Sequence, residues 1–300
     1  MTERIGRALP PPSGRAPLLN IAPREVEGLG DELTTYYQMF ANCFVRREQR
    51  HWALKYSQGQ MLDLPRKSIE PMAVALAGGN IQAMQQFISQ GAWSDDEVLG
   101  IHRREVGQTL GRPDGVAILD GCEYPKQGDD SVGVARQYCG PLGKLANCQA
   151  SVVLAYASAS GAILLDRRLY LPRAWFAEDH RERWQKCGIL EDVTFKTKPE
   201  LGAEMIRALV AEGVVPFRWV AMDEGYGTAG HLLDAIHREN KYFFAEIPRN
   251  KKAWRRRPKV VPPQVRAPTG RPPTRVQLAS STPSAQRVDE LARQLRTADW

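Results

Sequence analysis

The sequence predicts an α/β fold, a mixed sheet with flanking helices, preceded by an N-terminal helical domain. Three observations carry that prediction. From Asp31 to about Leu110, apolar residues recur at three- and four-residue steps. From Asp114 the texture changes to short apolar runs rich in β-branched residues and bounded by glycine. Those runs first follow one another directly and then alternate with helical segments. With 300 residues, 43% of them hydrophobic and 25% charged, the chain is long enough for one large or two modest cores.

Residues 1–29 are rich in Pro, Gly and Arg without apolar periodicity and are expected to form a disordered arm. Residues 30–112 follow as the helical domain. Leu33, Tyr37, Phe40 and Phe44 are spaced to share one helix face, as are Ile81, Met84, Phe87 and Ile88. Ser94 to Glu97 reads as a capping box, with Trp93 and Val98 placed for a hydrophobic staple. Strands are expected at 115–120, 149–157 and 162–170, the last two joined by a turn from Ser158 to Gly161. A helix at 199–212 has Leu201, Met205 and Leu209 at steps of four and Gly213 for its left-handed end. A strand at 214–223, a helix at about 227–239 and a strand at 241–247 complete the set. Three strands, then helix, strand, helix, strand is the order of a ribonuclease H-like core, placed here at 113–248, in which an antiparallel meander is extended by parallel strands through helical crossovers.

Residues 249–300 differ in kind. Pro258, Pro262, Pro263, Pro268, Pro272 and Pro273 stand amid Lys and Arg and exclude a regular helix or central strand, so an insertion or linker is expected. A short helical pattern returns only from Ala285 to Leu295. The net charge of +7 is concentrated here, because residues 249–275 hold ten Lys or Arg and no acid, which leaves −3 for the rest of the chain. A local basic stretch of that kind suits phosphate backbone. Within it Lys251, Lys252, Trp254, Arg255, Arg256 and Arg257 interleave an aromatic ring with cations, a pattern for backbone contacts plus stacking on an unpaired base.

Several function classes receive no support. The longest apolar run, Ala150 to Ala157, falls well short of the roughly 18 residues a membrane span needs, and Met1 to Arg24 lacks the apolar block of a signal peptide, so a cytoplasmic protein with no membrane partner is expected. Cys43, Cys122, Cys139, Cys148 and Cys187 are odd in number and widely spaced, which predicts reduced thiols rather than a zinc site. His51, His102, His180, His231 and His237 show no metal spacing. No G-x-x-x-x-G-K loop occurs to support ATP-driven chemistry.

The candidate chemistry rests on two acids. Asp120 follows Val116-Ala117-Ile118-Leu119, and Asp223 follows Phe217-Arg218-Trp219-Val220-Ala221-Met222, so each is expected to end an apolar strand. An acid there is costly unless something is bound. In the expected topology the two strands are parallel neighbours and the carboxylates meet at one sheet edge, where their repulsion is relieved by a divalent cation. Hard oxygen ligands favour Mg2+ or Mn2+, and two such ions about 4 Å apart can clamp the attacking and leaving oxygens of a phosphodiester.

Around these acids runs a longer pattern. Asp120 with Tyr124-Pro125-Lys126 and Gly128, then Gly133-Val134-Ala135-Arg136-Gln137-Tyr138-Cys139-Gly140 with Gly143-Lys144, resembles the DDE transposases of insertion sequence family 701. So do Leu169-Tyr170-Leu171-Pro172 with Trp175, and Asp223 with Tyr226-Gly227. The resemblance runs from about Tyr36 to Trp300. It implies metal-dependent DNA strand cleavage and strand transfer, Asp120 and Asp223 as the first two metal-binding catalytic acids, element-end and target DNA as partners, and a homo-oligomer in the transposition complex. Lys126, Arg136 and Lys144 are candidates for DNA phosphate. Gly121 departs from the pattern, since members often carry a second acid there. The third acid is expected to be a Glu on a helix beyond the last core strand, in a segment falling past Trp300, which would leave the triad incomplete. Glu246 and Glu290 are the substitutes within the chain, and neither is assigned. The alternative expectation is a non-catalytic DNA-binding fragment that competes with intact transposase.

Overall fold

A computed structural model of the chain describes residues 23–262 and 276–296, with side chains described from residue 28 onward. It divides into two compact units, Met1–Ile101 and His102–Trp300. In the first, helix α1 (Pro23–Gln38) begins inside the segment expected to be disordered to residue 29. Proline is tolerated in a first helical turn, where its missing N–H has no intrahelical acceptor. Residues 1–22 lie outside the described residues. Next come α2 (Arg47–Met61), α3 (Ile69–Ala75), α4 (Ile81–Gln90) and the start of α5 (Asp95–Thr109).

An aromatic cluster joins these helices. Phe44 sits 5.7 Å from Phe87 and 5.8 Å from Trp93, ring centre to ring centre, and Phe87 stacks on Trp93. The Tyr37 hydroxyl donates to the Arg50 carbonyl at 2.6 Å, and burial pushes its pKa up to about 12. The Glu97 amide donates to Ser94 Oγ at 3.3 Å, and Trp93 and Val98 both pack against the cluster, as a staple requires. Two expectations change. Phe40 and Phe44 lie beyond the end of α1, on either side of the short 3-10 segment Ala41–Cys43, although both are buried. Ile88 is exposed, because α4 points Met84 and Phe87 inward and the next residue turns away by about 100°.

The second unit is built on a six-stranded sheet. Strand β1 (Val116–Pro125) pairs antiparallel with β3 (Lys144–Ser158), and β4 (Gly161–Tyr170) returns along β3 after the expected turn. Strand β3 is longer than expected. Its first residues pair with β2 (Ala135–Cys139), which periodicity did not predict: five residues without a β-branched side chain leave almost no strand signal. A short helix α6 (Arg181–Lys186) precedes α7 (Lys198–Glu212), which leads to β5 (Trp219–Met222), parallel to β1. Helices α8 (Glu224–Gly227) and α9 (Gly230–Arg238) then lead to β6 (Tyr242–Ala245), parallel to β5. The order β2-β3-β1-β5-β6, with β4 on β3, is the ribonuclease H-like arrangement.

Local chemistry explains where these elements begin and end. Thr197 and Glu200 form a capping box at the start of α7, with the Glu200 amide donating to Thr197 Oγ1 and the Thr197 amide to Glu200 Oε2. Gly213 closes the helix at φ 67°. The strand expected at 214–223 shortens to four residues because Pro216 cannot donate to a ladder, although Val215 and Phe217 remain buried. The core of this unit joins Leu119, Val152, Leu154 and Tyr156 of the sheet to Met205, Ile206 and Leu209 of α7 and Leu232 and Ile236 of α9.

The basic stretch is not a structureless linker throughout. Strand β7 (Lys252–Ala253) pairs with β10 (Gln286–Arg287), and β8 (Val260–Val261) with β9 (Gln277–Leu278). Helix α10 (Val288–Arg293) ends the described chain in the region where a helical pattern was expected. Among the described residues no helix is long and apolar enough to cross a membrane.

Candidate active site

Parallel pairing of β1 with β5 ends at Leu119 opposite Met222, so the next residue on each strand is Asp120 and Asp223. Both line one cleft of about 510 Å³. Asp120 does not end its strand, contrary to expectation. β1 continues to Pro125 along β3, and only its pairing with β5 stops. Beyond that point the β1 edge is open on the β5 side, which makes room for the cleft. Asp120 Oδ1 accepts from the Gly121 amide at 2.7 Å, and Asp223 Oδ1 accepts from the Gly225 amide at 3.0 Å as the N-cap of α8. A carboxylate offers about four acceptor positions, so each retains capacity for a ligand.

Two further side chains line the cleft that the sequence did not single out, Glu123 and Lys198, together with Tyr226, which the sequence marked only as part of the motif after Asp223 and gave no role. Lys198 Nζ lies 2.9 Å from Glu123 Oε1 and 5.7 Å from the centre of the Tyr170 ring. Its place is set by the capping box, whose N-cap Thr197 makes Lys198 the first residue of α7. Tyr226 is 4% exposed, and its hydroxyl is buried without a hydrogen-bond partner. Burial raises its pKa above the usual phenol value, and the charges of Asp223, Asp120 and Glu123 raise it further. Gly227 is required beside it, because a Cβ there would press on the Glu246 carbonyl oxygen. Gly227→Ala is therefore expected to destabilise the fold by about 1–3 kcal/mol in denaturant unfolding. A change below a few tenths would show that α8 shifts freely.

The family model described as DDE superfamily endonuclease matches residues 39–300. The chain belongs to the DDE superfamily of endonucleases. It is also 29% identical over 201 residues to a protein of Microchaete diplosiphon described as a probable transposase for insertion sequence element IS701, a match covering 66% of this chain. The chain spans about half, 49%, of that relative's length.

For a DDE endonuclease, divalent metal use is general. Two neighbouring carboxylates in an open cleft suit Mg2+, which binds through one or two carboxylates and fills its other positions with water and phosphate oxygen. Among the described residues no group of three His, Cys, Asp or Glu could hold a metal. Glu246 follows β6 one register step past Ala245, yet it does not line the cleft, and neither does Glu290 of α10.

The basic candidates separate into two sets. Lys126, Arg136 and Lys144 lie just past the end of β1, on β2 and at the start of β3, and none lines the cleft. The cation that does is Lys198. Arg255, Arg256 and Arg257 line a second cleft of about 480 Å³ together with Trp254, whose Nε1 donates to the Pro283 carbonyl at 2.8 Å. Lys251 and Lys252 lead into it through β7. The Trp254 ring is anchored at one edge and 37% exposed.

Proposed function

We propose that this chain acts in DNA transposition, cleaving and joining DNA strands with Asp120 and Asp223 as its metal-binding carboxylates. The observation that carries this reading is the placement of both acids side by side where β1 and β5 part, in one cleft. Bound Mg2+ or Mn2+ would activate an oxygen nucleophile and offset charge developing on phosphate. The residues hold the cation and orient the strand. Water oxygen attacks phosphorus at the element end, the bond to the 3′ oxygen breaks, and the freed 3′ hydroxyl then attacks a target phosphodiester. Each exchange conserves one phosphodiester or hydrolyses one, so no nucleotide cofactor is needed.

In this reading residues 30–112 form a helical domain that contributes DNA contacts, residues 113–248 form the catalytic core, and residues 249–300 form a basic insertion. The active form is a homo-oligomer on element-end and target DNA in the cytoplasm. The third carboxylate of the cleft, Glu123, is engaged by Lys198, and among the described residues no group of three His, Cys, Asp or Glu could hold a metal, so the 300-residue chain by itself is expected to bind DNA but nick it inefficiently. Gel-shift and nicking assays on element-end DNA with Mg2+ test this. Failure to bind DNA overturns the reading, and robust nicking abolished by Asp120→Ala overturns the incompleteness. The same observation favours a second reading, a non-catalytic competitor of intact transposase. That reading requires inhibition in trans that survives both Asp120→Ala and Asp223→Ala.

The arginine cleft yields a separate expectation. Replacing Arg255, Arg256 and Arg257 together with Ala should weaken DNA binding at all sequences alike. The slope of log affinity against log salt should fall by about 3, roughly one unit for each phosphate no longer neutralised. An unchanged slope would remove this stretch from the DNA interface.

A further inference from the structure

Resting on the reading of Asp120 and Asp223 as metal carboxylates, we propose that the Tyr226 hydroxyl donates a hydrogen bond to a non-bridging oxygen of the DNA phosphodiester bound in the cleft. A buried tyrosine hydroxyl normally finds a partner, and leaving one without is unfavourable. Tyr226 is 4% exposed and its hydroxyl has none. The ring cannot turn away to find one. It belongs to the core cluster, follows a helix start capped by Asp223, and precedes a glycine lodged against the Glu246 carbonyl.

The space before the hydroxyl is left by Gly121. A Cβ at that position would stand 3.9 Å from Tyr226 Oη and 3.6 Å from Lys198 Nζ. Two donors, one neutral and one cationic, therefore border the same gap, the arrangement an anionic oxygen requires. The third neighbour is Glu123 Oε1 at 3.1 Å, which accepts from Lys198 and keeps the ammonium at the rim. Asp120, Asp223 and Glu123 make the surroundings acidic, so an anion enters only with the cation that the aspartates hold. A phosphodiester accompanied by a divalent metal meets both conditions. Gly121, having no side chain, is what leaves the gap open.

The test uses the full chain, labelled duplex DNA, and Ca2+ to support binding without cleavage. Tyr226→Phe is expected to weaken Ca2+-dependent DNA binding about tenfold to a hundredfold, the usual effect of removing a hydrogen bond to a charged acceptor. Its melting temperature without ligand should stay the same or rise, because an orphaned donor has been removed. Its affinity for Mn2+ without DNA should not change. Unaltered DNA binding overturns the proposal. A fall in Mn2+ affinity also overturns it, by assigning the hydroxyl to a metal-bound water, and a lower melting temperature does so by revealing an internal partner. Should Tyr226→Phe fail to fold, Gly121→Ala decides. It keeps the hydroxyl but fills the gap, so it should weaken DNA binding to a similar extent, and wild-type affinity would refute the assignment. Asp120→Asn separates the two layers: if it leaves Mn2+ affinity intact, the reading of the carboxylates fails independently of the Tyr226 result.

Discussion

Asp120→Asn and Asp223→Asn should each lower the affinity of the purified chain for Mn2+ by on the order of a hundredfold or more, measured by calorimetry or by the spectrum of bound Mn2+. The magnitude follows from rank: loss of an outer-sphere partner already costs about 10- to 100-fold, and a carboxylate in direct contact with the ion contributes more. Any Mg2+-dependent nicking should fall by at least about a thousandfold, a barrier increase of roughly 4 kcal/mol. Stability in the absence of metal should move the other way or not at all. The two acids sit one register step past the last β1–β5 pair, so neutralising one relieves repulsion between them. The double variant should bind Mn2+ little worse than either single one, since residues sharing one ion are not additive. Equal Mn2+ affinity in wild type and variants would sink the metal role.

What made this pair readable in advance was topology. Once the strand order is recognised, the strands before Asp120 and Asp223 must be parallel neighbours, and the apolar runs preceding each acid mark the level at which they meet. The other side of the cleft was not readable, because its members converge only through the course of the backbone. Glu123 enters because β1 runs on past Asp120, and strand length beyond an acidic residue leaves little trace in hydrophobic patterning. Lys198 enters because a capping box starts α7 at that residue. Tyr226 stands in the motif after Asp223, but no role for it was legible, because the burial of its ring and the orphaning of its hydroxyl come from the tight turn of α8. Conversely, Lys126, Arg136 and Lys144 stand close in sequence to the motif string but fold onto or beside strands outside the cleft. Nearness along the chain is a poor guide where a strand rises by about 3.3 Å per residue, since about six residues already span some 20 Å.

Asp166→Ala is expected to destabilise the second unit by about 3–5 kcal/mol, a large part of the roughly 5–15 kcal/mol available to a domain. Asp166 lies on β4 with its side chain 2% exposed, and its carboxylate meets the Arg103 guanidinium of α5 at 2.8 Å. Arg103 also holds Glu212, at the end of α7, at 3.0 Å, so one guanidinium ties two helices to the sheet that carries Asp120. Asp166 also accepts from the Arg167 amide at 2.7 Å, and Arg168 approaches it at 3.5 Å. Removing the carboxylate leaves Arg103, only 13% exposed, with the partly exposed Glu212 as its remaining carboxylate partner, an emptied site at Nη2 and an Nε that already lacks a partner. The penalty therefore comes from the charge left behind rather than from the missing bond. It follows that Arg103→Met combined with Asp166→Leu should recover most of the stability that Asp166→Ala forfeits. Urea unfolding of wild type, Asp166→Ala and the double variant separates the cases. If the double variant is as unstable as Asp166→Ala, the network contributes geometry that apolar packing cannot replace, and the account based on desolvation is wrong.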